Sequence, residues 1–158
     1  MHFAVLLLHV LAAMVWVGGT VALVFAAVPA IRVLEGRERV PLLRKLGRRW
    51  RPLGYGSLAV LVLTGLELAR EHYGFSRDVL LGTTFGRVLL VKSALVVLLV
   101  AASYLHDYVL GPRLQREMRE GLPQRTRPRL VAVGWTSFAL TIAIPVLGVW
   151  LTAQAHGI

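Results

Sequence analysis

Four stretches of the chain stay apolar long enough to cross a bilayer, and the polar residues gather between them. Residues 3–28 carry no formal charge and run up to Pro29. Residues 52–66 are uncharged, and 88–110 carry only Lys92, His106 and Asp107 as charge-bearing positions. Residues 130–155 are again uncharged. A hydrocarbon core of about 30 Å takes roughly 20 residues of helix. The pattern therefore predicts transmembrane helices over about 3–28, 52–70, 88–110 and 130–154. The second is the shortest, and its polar end reaches about Arg70 by snorkelling. Lipid offers no water to satisfy a backbone, so only helices and closed barrels span it. The expected fold is all-α: one domain, 1–158, an antiparallel bundle of four transmembrane helices.

The polar segments between the spans set an expected orientation. Segment 29–52 holds eight Arg and Lys against two Glu, a net of +6. Segment 111–129 holds six Arg against two Glu, a net of +4. Segment 67–87 balances at zero, so the whole excess of the +10 chain lies on one face. The positive-inside rule makes 29–51 and 111–129 basic cytoplasmic loops, with both termini and 67–87 outside. The expected place is a bacterial cytoplasmic (inner) membrane, with anionic lipids as partners of the arginines. Basic residues concentrated this way mark topology, so no nucleic-acid partner is expected. The first apolar stretch lacks a basic lead-in and a small-residue cleavage site, so it is expected to stay in the membrane.

Composition narrows the chemistry. Charged residues are 16% of the 158, against about 25% in soluble domains, and mean hydropathy is +0.66. With no cysteine, disulfides, thiolate metal sites, iron–sulfur clusters and the usual covalent haem are excluded. No nucleophile–base pattern, Gly-rich phosphate loop, HExxH or paired carboxylates occurs. Hydrolysis and nucleotide chemistry are unsupported.

What remains is a set of ionisable residues where they are costly. A charged side chain at mid-bilayer costs about 2.5–3.5 kcal/mol or more. His9 and Lys92 both sit inside apolar runs. In the expected topology His2, His9, His72 and His156 lie towards the outer face, bordered by Glu67, Glu71, Tyr73 and Asp78. Lys92 lies near the depth of His9, and only His106 lies towards the cytoplasm. His2, His9 and Trp16 are seven apart and share a helix face, as do Lys92, Leu99 and His106. Gly18 and Gly19 permit close helix approach, and Pro145 is expected to kink the last helix. The simpler alternatives stay open. His9 hydrogen-bonds across helices or acts as a ligand. Lys92 snorkels or faces a ligand. His2, His72 and His156 are solvated or liganding, and His106–Asp107 is an interfacial pair or a site. Trp16 and Trp150 are packing residues or interface anchors.

Three segments carry a family resemblance. LHVLAAMVWVGGTVALVFAAVPAIR resembles the opening helix of the CopD copper-resistance domain. LLGTTFGRVLLVKSALVVLL, residues 80–99, resembles that family's element of Thr-Thr followed by Gly-Arg-x-Leu-Leu-x-Lys. RRWRPLGYGSLAVLVLTG, residues 48–65, is similar to its second helix with a Thr-Gly. The broader group also resembles the HemJ membrane proteins, which implies b-type haem and protoporphyrinogen oxidation. In that resemblance the helix 1 His is His9 and the helix 3 Lys is Lys92.

Three functions follow. Copper handling would use an outer site of His9 with His2, His72 or His156, since imidazole suits copper, and His106 is the metal candidate on the inner side. Lys92 is ill placed beside a metal cation, and the chain has three Met and no Met-rich tract. Haem b would take His9 as an axial ligand. His72, His156 or deprotonated Lys92 would be the second ligand, or Lys92 or Arg87 would pair with a propionate. Trp16 would pack beside the ring, with Ala12, Ala13, Gly18 and Gly19 making room. Electron transfer with a redox partner or quinone, or a membrane oxidoreductase activity, would follow. The third function is an accessory membrane subunit without cofactor. Lys92 tilts the expectation from copper to haem.

Overall fold

The computed structural model describes residues 2–73 and 77–156. These residues form helices, with no strand among them. Helix α1 covers 2–32. It has a regular part His2–Ala22, one π-helical turn Leu23–Ala27, and a last stretch Val28–Arg32. Helix α2 is Gly36–Tyr73, and α3 is the short Arg77–Gly82. Helix α4 covers 84–119, again in three parts: Thr84–Tyr104, a π-helical turn Leu105–Leu110, and Gly111–Arg119. Helix α5 is Arg127–His156, with Pro145 inside it.

The helices run further than the apolar pattern implies. Helix α1 passes through Pro29, and α4 passes through Pro112. Helix α2 begins at Gly36, well before Pro52. The segments 29–51 and 111–129, expected as loops, are therefore mostly helical, and the links shrink to 33–35 and 120–126.

Two physical reasons account for this. Arg, Lys and Leu are good helix formers, so a basic segment needs no lipid to coil. The prolines are absorbed locally. A helix-interior proline leaves the carbonyl four residues back without a donor and presses its ring against it. Those carbonyls belong to Phe25 and Tyr108. Each lies within a widened π-helical turn, which makes room for the ring without breaking the helix.

The chain divides into two compact units, Met1–Phe75 and Ser76–Ile158. In the first, α1 and α2 pack as an antiparallel hairpin. Ala12, Trp16 and Ile31 are buried from α1, and Ser57, Leu58, Thr64 and Ala69 from α2. The Trp16 and Trp50 rings lie 6.4 Å apart at 33°. Trp50 fills the space that Gly19 and Gly54 leave. A Cβ on Gly19 would overlap its ring, and one on Gly54 would lie 3.1 Å from it.

In the second unit α3 packs on α4, and α4 and α5 form another antiparallel hairpin. Leu99, Ala102, Ser103, Leu110, Leu140 and Thr141 are buried there. Thr83 is extended, and its side chain caps α4 by accepting from Gly86 N at 3.0 Å. At the other end Gly121 adopts φ +66°, and Leu122 N donates to Glu117 O at 2.9 Å. This left-handed glycine and six-to-one bond close the end of α4. The Glu117 carboxylate accepts from both the amide and the hydroxyl of Thr126, at 3.1 and 2.5 Å, tying the start of α5 back to α4.

Four helices are long and apolar enough to span a membrane: Phe3–Arg32, Arg37–Glu71, Gly86–Arg119 and Arg127–Trp150. Phe3, Val97 and Val149 are 75%, 69% and 71% exposed. An aqueous protein does not leave so much apolar surface open, whereas lipid tails cover it at no cost. The protein is a four-helix, all-α membrane protein.

The glycine packing is directly testable. Nothing lies within 4 Å of a Cβ on Gly18, unlike on Gly19. Gly19→Ala should lower stability in detergent by roughly 1–3 kcal/mol through overpacking. Gly18→Ala should leave the unfolding midpoint unchanged or raise it. Equal effects at both positions would contradict the Trp50 contact.

Candidate functional site

Each ionisable residue of interest points across its hairpin at a glycine. His9, on α1, is half-buried against α2. Its Nδ1 lies 2.8 Å from Thr64 Oγ1. The Thr64 hydroxyl donates its one proton to the Val60 carbonyl at 2.6 Å. Towards the ring it can therefore only accept, so Nδ1 carries the proton and Nε2 carries the lone pair. A Cβ on Gly65 would lie 3.3 Å from His9 Cε1. Thr64 sets the tautomer and Gly65 gives the ring its place. The Thr-Gly pair of the second helix thus acts on His9. Neither residue stood out as a site by side-chain chemistry; the signal was an adjacent hydroxyl and glycine in mid-span.

Lys92, on α4, extends to α5. Its Nζ lies 3.2 Å from the position of a Cβ on Gly148. The amine itself is at the glycine, so the side chain runs across to α5. Among the described residues it has no hydrogen-bond or ion-pair partner. Leu99, seven residues on, is buried at 3% exposure. His106, another seven on, lies over Gly134, where a Cβ would be 3.3 Å from Nε2. The shared face expected for Lys92, Leu99 and His106 is the face on α5. His106 lies in the π-helical turn, and its Nδ1 is 2.9 Å from Asp107 Oδ1. A carboxylate only accepts, so here too Nδ1 carries the proton. At 1.5 Å per residue, Lys92 and His106 are about 21 Å apart along α4.

Of the other nominated residues, Trp16 is buried against Trp50 and serves packing in the hairpin. Arg87 is exposed in the first turns of α4, and its amide donates to Thr83 O at 3.2 Å. His72 is next to the last residue of α2, His156 ends α5, and His2 opens α1. The side chains of these three lie outside the described residues. His9 and Lys92 belong to different units. Among the described residues no group of three or more His, Asp or Glu converges. An open apolar groove of about 290 Å³ lies between α1 and α2, lined by Leu8, Leu11, Val15, Leu53 and Val60 among others, and His9 is not part of it.

Against known proteins, the family model of CopD, copper resistance protein D, matches residues 44–151. No curated protein and no solved structure matches the chain. The matched residues hold Thr64, Gly65, Arg87, Lys92, His106, Gly134 and Gly148; His9 and Trp16 precede them.

The tautomer of His9 gives a readout that needs no ligand. Nitrogen-15 spectra of histidine-labelled protein at neutral pH should show Nδ1 protonated and Nε2 bare for His9. Thr64→Val should erase that preference and Thr64→Ser should keep it. The same tautomer mixture in all three proteins would remove Thr64 from the site.

Proposed function

The chain belongs to the CopD, copper resistance protein D, family, and from its own residues we propose that it is a multi-pass protein of the bacterial cytoplasmic membrane that presents His9 Nε2 to iron in a b-type haem. The observation that carries this is the Val60–Thr64–His9 chain of hydrogen bonds. It orients one imidazole with its lone pair on Nε2, the way an outer-shell partner prepares a metal-ligating histidine.

The donor set favours haem over a bare copper ion. Copper held by protein alone needs several donors, and among the described residues no group of three or more His, Asp or Glu converges to supply them. Haem iron already has four porphyrin nitrogens, so one imidazole suffices. A bound haem would supply one-electron transfer, with a redox partner or quinone as the other member. The chain's own residues do the rest. Thr64 holds the His9 ring, Gly65 lets it lie against α2, and the basic ends of α2 and α4 contact anionic lipid on the cytoplasmic side.

Copper handling is the second reading, and the family match favours it. Copper would then be cargo met at His9 in the first hairpin and at His106 in the second.

Visible spectra of the detergent-purified protein separate the two. Haem predicts a Soret band, with α and β bands on reduction. His9→Ala should abolish them, and Thr64→Val should weaken haem binding about 10–100-fold. A colourless protein with stoichiometric copper by elemental analysis would establish the second reading. A His9→Ala spectrum identical to wild type would remove His9 as the ligand.

A further inference from the structure

The two units repeat one construction at a constant interval. The step from His9 to Lys92 equals the step from Gly65 to Gly148, 83 residues. In both pairs an ionisable side chain on the first helix of a hairpin meets a glycine on the second. The same interval carries Pro29 onto Pro112. It carries the widened turn Leu23–Ala27 onto 106–110, within the observed Leu105–Leu110. Buried Trp16 maps onto buried Leu99, and buried Leu58 onto buried Thr141. The last residue of α2, Tyr73, maps onto the last of α5, His156. Hairpins of unrelated design have no reason to share a proline, a widened turn, a glycine notch and a helix end at one interval. Duplication of one hairpin accounts for all four.

The duplicated notch differs in its occupant. His9 is held by Thr64, whose counterpart is Leu147, a residue with no acceptor. Lys92 accordingly has a place to lie but, among the described residues, nothing to bind. An ammonium left unpartnered in apolar surroundings is costly. An anion from outside the chain would offset that cost.

We propose that Lys92 over Gly148 is a second ligand-holding notch, the duplicate of His9 over Gly65, and that it takes the carboxylate or phosphate of a membrane-dissolved molecule. Its source is the headgroup of an anionic lipid, which does not depend on the function proposed above. Lys92 is then a binding residue: its ammonium donates to the anion, and Gly148 leaves room for it.

Native mass spectrometry of the full chain taken from nanodiscs of phosphatidylglycerol and of phosphatidylcholine tests the notch. Wild type and Lys92→Arg should retain an anionic lipid that Lys92→Met releases. A Lys92→Met protein of native helicity that retains the lipid as wild type does overturns it.

A graft checks the equivalence. K92H/L147T rebuilds the His–Thr pair in the second hairpin. Its unfolding midpoint should exceed that of K92H by roughly 2–4 °C; no gain would show that the two notches are not counterparts.

Discussion

A polar side chain in an apolar span has to be met by the helix it faces, and this chain meets it with glycine. His9 lies on Gly65, Lys92 on Gly148 and His106 on Gly134. The indole of Trp50 fills the space over Gly19 and Gly54 in the same way. Between lipid-facing helices there is little hydrophobic drive, so close packing and hydrogen bonds hold them together. A missing Cβ supplies the first and lets a ring or an amine reach across for the second. Each glycine costs about 0.5–1 kcal/mol of helix stability relative to alanine. That loss is accepted where a side chain would otherwise have no place between the helices.

The prolines impose the second constraint. Pro29 and Pro112 sit just past the apolar parts of α1 and α4, and read alone they mark helix ends. Each helix widens by a turn around the strained carbonyl and continues into the basic segment. The arginines after Pro29 and Pro112 therefore ride on helices that extend the hairpins, joined by links as short as 33–35. The widened turn in α4 also carries His106 and Asp107. A feature that relieves a proline thus positions an imidazole.

The matched part of the CopD family model, residues 44–151, contains the glycine side of all three contacts and the lysine of the second. Within that span the residues have concrete tasks. Thr83 and Gly86 of the Thr-Thr-x-Gly-Arg stretch cap α4, a structural task. Thr64 and Gly65 of the second helix orient His9, and Lys92 ends that element facing α5. The motif divides into residues that start a helix and residues that face across a hairpin.

The hydrophobic pattern alone determined four spans, the all-α class and the residues worth attention, because the cost of charge in lipid is visible from composition and length. The seven-residue spacing already placed Lys92, Leu99 and His106 on one face. The partners of those residues were invisible. Thr64, Gly65, Gly134 and Gly148 are unremarkable in an apolar run until the antiparallel register sets them opposite an ionisable side chain. Helix ends were misjudged at Pro29 and Pro112 because a widened turn is a response of the backbone, with no residue type of its own. The repeat at 83 residues stayed hidden for a related reason: lipid-facing positions tolerate almost any apolar residue, so little identity survives beyond the prolines and the glycines. Chemistry could be nominated along the chain. The tautomer of His9 and the empty reach of Lys92 were decided only when two helices came into contact.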